Sequence, residues 1–101
     1  MDNYYVLIVS DGTGETGFRL LKAAMQQFDA DILITRYAKV RQKSQIREVL
    51  KAVTRSHTLI VHTFASEDLR EYMTQTAEEV GTPSIDVLGP LVEQLSHFFH
   101  K

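Results

Sequence analysis

Residues Ile8–Gly17 read Ile-Val-Ser-Asp-Gly-Thr-Gly-Glu-Thr-Gly. An apolar run ends at Ser10, passes two glycines and enters a segment in which Phe18, Leu21, Met25 and Phe28 recur at spacings of three and four, the period of a helix with one buried face. Gly12 and Gly14 permit tight turns and close backbone approach. Thr13 and Thr16 offer hydroxyls, and a helix starting near Thr16 aims N–H groups and a partial positive charge back into the loop. Ser10, Asp11, Gly12, Thr13, Gly14, Glu15 and Thr16 therefore have the makings of an oxyanion cradle. The plainer reading is a strand-to-helix turn, with glycines for geometry and Asp11 or Thr13 as a cap.

The same alternation continues outward. Tyr4–Val9, Ile32–Tyr37, Thr58–Phe64 and Ser84–Leu88 have strand character, and the first and third are nearly unbroken apolar runs, as in strands covered on both faces. Helical periods follow each strand: Ile46, Val49, Leu50 and Val53, then Leu69, Tyr72, Met73, Thr76 and Val80. Ser66 can cap the third helix, Glu67 and Asp68 suit its positive end, and Gly81-Thr82-Pro83 stops it. Gly89-Pro90 opens a fourth helix carrying Leu91, Val92, Leu95, Phe98 and Phe99. The order βαβαβαβα with right-handed crossovers predicts a three-layer α/β/α sandwich, residues 1–101 forming one domain around a four-stranded parallel sheet of flavodoxin-like order 2-1-3-4. The wide stripe of the last helix reads either as simple core or as a surface for a second domain or subunit.

In such sheets ligands sit beyond the carboxyl ends of the strands, where the strand order reverses, which places the Ser10–Thr16 loop in the crevice. Arg36, Lys39, Arg41 and Lys43 form the dense basic patch of the chain, and Arg36 or Arg41 can reach an anion on that loop. Gly12-x-Gly14-x-x-Gly17 formally matches a dinucleotide fingerprint, but Arg36 and Tyr37 stand where the acidic ribose partner belongs. The loop also resembles that of flavodoxins, though Asp11 would repel phosphate at the leading hydroxyl position. These leave a stand-alone flavodoxin-like or dinucleotide-binding domain as the alternative reading. A Walker A loop requires Gly-Lys, which the chain lacks, and a phosphoacceptor receiver requires aspartate where strand 3 ends His62-Thr63-Phe64.

Composition narrows the classes further. The 101 residues carry a net charge of −2 and no cysteine, so neither a basic field for nucleic acid or anionic membrane nor any thiol site exists. No apolar run approaches spanning length. His57, His62, His97 and His100 show no strong metal spacing, and Asp86 reads as a cap for Gly89-Pro90. These features together describe a cytoplasmic protein with no metal.

Several stretches in order resemble one family. Val9–Thr16 resembles the V-S-D-G/S-T-G-E-T opening of the pyruvate, phosphate dikinase regulatory proteins, which include the phosphoenolpyruvate synthase regulatory proteins. Arg36 and Val40-Arg41 resemble the pattern after the second strand of that family. Asp68-Leu69-Arg70-Glu71-Tyr72 and Asp86-Val87-Leu88-Gly89-Pro90-Leu91 resemble two later segments, P-E-I/L-R-E-Y/L and D-I/L-I/L-G-P-L. Gly17 stands where alanine is usual, so the fingerprint match above is accidental; Glu67-Asp68 replaces the usual Pro-Glu.

The resemblance implies a bifunctional enzyme that phosphorylates a serine or threonine of the dikinase or synthase with ADP and removes it by phosphorolysis, forming pyrophosphate. It also implies a catalytic P-loop, resembling G-x-S-R-x-x-K-T-P, in a second domain. Nothing like that loop occurs in these residues, which therefore resemble the N-terminal domain and are expected to be inactive alone. The expected partners are a C-terminal catalytic domain, the dikinase or synthase as protein substrate, and a second copy in a homodimer. No tightly bound cofactor is expected; AMP, ADP or phosphate would occupy Ser10–Thr16, with Arg36 and Arg41 as clamps.

Overall fold

The computed structural model describes residues 3–53 and 57–101. Strands β1 (Tyr4–Ser10), β2 (Ile32–Tyr37), β3 (Thr58–Thr63) and β4 (Ser84–Asp86) alternate with helices α1 (Glu15–Met25), α2 (Lys43–Lys51), α3 (Glu67–Glu79) and α4 (Gly89–Phe99). The sheet order is β2-β1-β3-β4 and every pairing is parallel, as the alternation predicts. Val9 pairs with Tyr37 on one side and His62 on the other, so β1 is central and its carboxyl end marks the reversal of strand order.

Register sorts the side chains onto two faces. Leu7, Val9, Ile60 and Phe64 meet Val40, Ile46, Val49, Leu50, Leu69, Met73 and Ala77 in one buried core under α2 and α3. The other face carries Val6, Ile8 and Val61, all buried. There α1 approaches closely: a Cβ at Gly17 would stand 3.1 Å from Ile8 Cγ2. Only glycine or a small residue lets the helix ride this near the sheet.

The ends of the helices follow local chemistry. Leu69 N–H donates to Ser66 Oγ at 3.3 Å, the cap expected for α3. At α2, Gln45 Oε1 accepts from the N–H groups of Arg41 and Gln42. β4 is shorter than Ser84–Leu88, because the Asp86 carboxylate accepts from Leu88 N–H at 3.0 Å and Gly89 N–H at 2.7 Å, curling the chain out of the sheet into α4. α4 then leaves the body of the domain. Leu91, Leu95, Phe98 and Phe99 are all exposed, Phe98 by 76%, so the stripe is not core within this chain.

Candidate functional site

The β1–α1 loop is built largely by its own hydrogen bonds. Ser10 Oγ accepts from Gly12 N–H at 3.0 Å and faces the carbonyl of Thr63. Thr13 Oγ1 accepts from Glu15 N–H at 3.2 Å, tightening the turn that leads into α1. Gly14 takes φ +83°, a left-handed turn that glycine adopts without strain. Two backbone bonds strap the loop to the segment after β2: Lys39 N–H to Gly12 O at 2.8 Å and Val40 N–H to Ser10 O at 2.9 Å. Asp11 Oδ2 accepts from Ala65 N–H at 2.9 Å, tying the loop to the exit of β3. Three strand exits are thereby locked into one surface.

Glu15 occupies the N-terminus of α1 with its own negative charge. Arg19 Nε donates to Glu15 Oε1 at 2.6 Å, and Arg36 Nη1 lies 3.4 Å from Oε2. The bond to Arg19, joined by the charges of both arginines, holds the Glu15 carboxyl below the usual carboxylate range. This end of α1 is thus partly satisfied from inside the chain. Thr16 lies one residue further along the helix, on its exposed side.

The two arginines expected to act as a joint clamp stand on opposite sides of the loop. Arg36 shares the α1 face with Ile8, its register partner, and its guanidinium carbon sits 4.4 Å from the centroid of Phe18. Arg41 lies on the other side, where its Nε donates to Asp11 O at 3.0 Å. A cavity of about 530 Å³ opens there, lined by Asp11, Arg41, Gln42, Lys43, Ser66, Asp68 and Leu69. It lies where the first turns of α2 and α3 meet the β1 loop, and each helix directs its positive end toward it. The volume is in the range of small-molecule sites.

Of the expected site residues, Asp11 and Arg41 line this cavity. Ser10, Gly12, Thr13 and Gly14 build the loop behind it; Glu15, Thr16 and Arg36 lie toward α1. Lys43 and Ser66 were visible in the sequence as part of a basic patch and as a helix cap, but not as neighbours. Gln42, Asp68 and Leu69 gave no signal as site residues, because their meeting depends on the angle between α2 and α3.

His62 lies fully buried in β3 rather than in the crevice, its ring 5.8 Å from that of Phe64. Among the described residues neither ring nitrogen has a hydrogen-bond partner. Burial pushes its pKa below the ordinary imidazole range, and the charge of Asp86 pulls it partly back. Among the described residues no group of His, Asp or Glu is arranged to hold a metal ion, and no helix is long and apolar enough to cross a membrane.

A family model described as kinase/pyrophosphorylase matches residues 6–101. A protein of Listeria welshimeri is 38% identical over 95 residues, covering 93% of this chain and 35% of that relative. Two proteins from strains of Listeria monocytogenes match to the same extent, and all three carry the provisional name pyruvate, phosphate dikinase regulatory protein 1. The chain spans about a third of the length of these curated relatives.

Proposed function

The chain belongs to the kinase/pyrophosphorylase family of pyruvate, phosphate dikinase regulatory proteins, and on that basis we propose that these residues form its regulatory phosphate- or nucleotide-binding module. The proposed ligand is AMP, ADP or phosphate, held in the cavity between the Ser10–Thr16 loop and the first turns of α2 and α3. The observation that carries the proposal is Arg41. Its Nε is spent on Asp11 O, which fixes the guanidinium at the mouth of a cavity that two helix N-termini make favourable to anions. Lys43 adds a second positive charge on the same wall. Arg36, engaged by Glu15 and Phe18, supports the loop through Gly14 and takes a lesser part than Arg41.

In the proposed whole enzyme, a C-terminal domain carries the catalytic P-loop and performs ADP-dependent serine/threonine phosphorylation of the dikinase or synthase and its phosphorolytic reversal, in the cytoplasm. The present residues contain nothing like the G-x-S-R-x-x-K-T-P loop, and on this proposal they catalyse neither reaction alone. A second copy completes the proposed assembly as a homodimer.

Calorimetric titration with AMP, ADP, phosphate and pyrophosphate tests the module. Saturable binding weakened about tenfold or more by Arg41→Ala, and less by Arg36→Ala, supports it. No heat with any of the four, or binding indifferent to Arg41→Ala, overturns it.

A further inference from the structure

The segment that carries Arg41 is short and tightly constrained. Residues 38–42 join β2 to α2. Lys39 stands in the left-handed region at φ +56°, a conformation that a residue with a Cβ holds only against strain. At that turn Lys39 N–H donates to Gly12 O at 2.8 Å and Val40 N–H to Ser10 O at 2.9 Å. Val40 is buried in the core, and the residues on either side of it are exposed.

One side chain gathers this segment. Gln45 Oε1 accepts from Arg41 N–H at 2.7 Å and from Gln42 N–H at 3.0 Å, and Gln45 Nε2 donates to Lys39 O at 3.3 Å. The capping box at the start of α2 needs only the bond to Gln42. The shortest bond goes instead to Arg41 and the third to the strained Lys39, both outside the helix. Gln45 is thus laid along the loop before α2 rather than closed on the helix itself. Two N–H groups and one carbonyl converge on it, a set that a carboxamide satisfies in one orientation and that neither a carboxylate nor a thioether satisfies. Gln45 is exposed and forms no part of the core, so the sequence marks it only as a surface position of a helix.

What the segment delivers is Arg41. Its Nε is fixed on Asp11 O at 3.0 Å, and Nη1 and Nη2 have no hydrogen-bond or ion-pair partner among the described residues. The side chain therefore lines the cavity with its Nη donors unspent. An arginine free to swing loses rotamer freedom when it grips an anion, and that loss subtracts from affinity; one already held in place loses little. We propose that Gln45 is the positioning residue of the anion site: it holds residues 39–42 against the strain at Lys39, so that Arg41 meets the cavity with its guanidinium already oriented. Gln45 does not line the cavity and acts through Arg41. The inference rests on the cavity reading above, in which Arg41 is the principal clamp, and the test separates the two.

Gln45→Met keeps the length and helix preference of the side chain and removes both of its hydrogen-bonding ends. In isotope-labelled protein without ligand, the NMR resonance of Arg41 Nε–H, identified by its absence in Arg41→Ala, reports the bond to Asp11 O. Gln45→Met should move that resonance toward the position of a free arginine and speed its exchange with water. Ser44→Ala, the neighbouring change on α2, should leave it in place. Calorimetry with inorganic phosphate and with AMP gives the second readout. Gln45→Met should raise the dissociation constant about threefold to tenfold, with circular dichroism unchanged. In the Arg41→Ala background the same change should alter it less than about twofold, because Gln45 has nothing left to position. Three results each overturn the inference and leave the cavity reading standing: an Arg41 resonance unmoved by Gln45→Met, an affinity that Arg41→Ala weakens and Gln45→Met does not, or a Gln45→Met loss of equal size with and without Arg41. Binding indifferent to Arg41→Ala, or no binding of either probe, overturns the cavity reading, and the inference falls with it.

Discussion

Arg70 Nε lies 3.7 Å from Asp86 Oδ2, joining the first half of α3 to the end of β4 in a pair whose arginine side chain is only 9% exposed. The same guanidinium donates from Nη1 to Phe64 O at 3.2 Å and Ala65 O at 3.0 Å. The same carboxylate caps Leu88 and Gly89. One salt bridge thus connects the exit of β3, α3, β4 and the start of α4. Asp86→Ala leaves Arg70 buried without its counter-charge and uncaps two amides. The expected loss is about 3 kcal/mol in urea unfolding, since breaking a buried pair from one side costs more than the pair contributes. A loss under about 1 kcal/mol would show that solvent replaces the carboxylate.

Gly14→Ala places a Cβ 2.9 Å from Arg36 Cγ in a backbone with φ +83°. The left-handed turn and the contact together should cost about 1–2 kcal/mol. A double-mutant cycle with Arg36→Ala divides the two causes: the steric part disappears with the arginine side chain and the backbone part remains. An additive cycle would assign the whole cost to the backbone.

His62 makes stability depend on pH with a defined sign. Its folded pKa is lowered by burial, so below about 6.5 the unfolded chain binds a proton that the folded chain excludes. Its contribution to the unfolding free energy is therefore fully present above that pH and falls as pH drops from about 6.5 toward the folded value, by up to about 1.4 kcal/mol per unit. His62→Phe, packed beside Phe64, should flatten the profile below about pH 6.5 in denaturant titrations. An unchanged slope would assign it to other groups.

Asp11 has two opposed roles. Its carboxylate holds Ala65 N–H at 2.9 Å, and it also places a negative charge on the wall of the Arg41 cavity. Asp11→Asn keeps an acceptor and removes the charge. Stability should fall by about 1 kcal/mol while phosphate binding tightens several-fold. Weaker phosphate binding with unchanged stability would show that the carboxylate positions Arg41 rather than repelling the ligand.

The order of elements, the parallel sheet, the strand order 2-1-3-4 and the cap at Ser66 were legible in the residues alone. These follow from periodicity, from glycine and proline placement and from the handedness of crossovers, which are properties of short segments. The candidate site was half legible as a place in the fold. Asp11 and Arg41 fall in the cavity, because loop position after β1 and the basic run after β2 place them near the sheet reversal. Arg36 goes to the far side because alternation along β2 sends residues 36 and 37 to opposite faces, and one residue of register decides which.

Only the tertiary structure decided three further things. It brought Gln42, Ser66 and Asp68 together through the packing of α2 on α3. It left His62 buried, with no hydrogen-bond partner among the described residues. It turned α4 away from its own sheet, because a carboxylate at the end of a three-residue strand captures the amides that follow. The apolar spacing of α4 says that the helix has a face to bury. Where that face can go depends on the direction in which Asp86 releases the chain, and the same carboxylate is held by Arg70, in the first turn of α3, through a contact that no local pattern records.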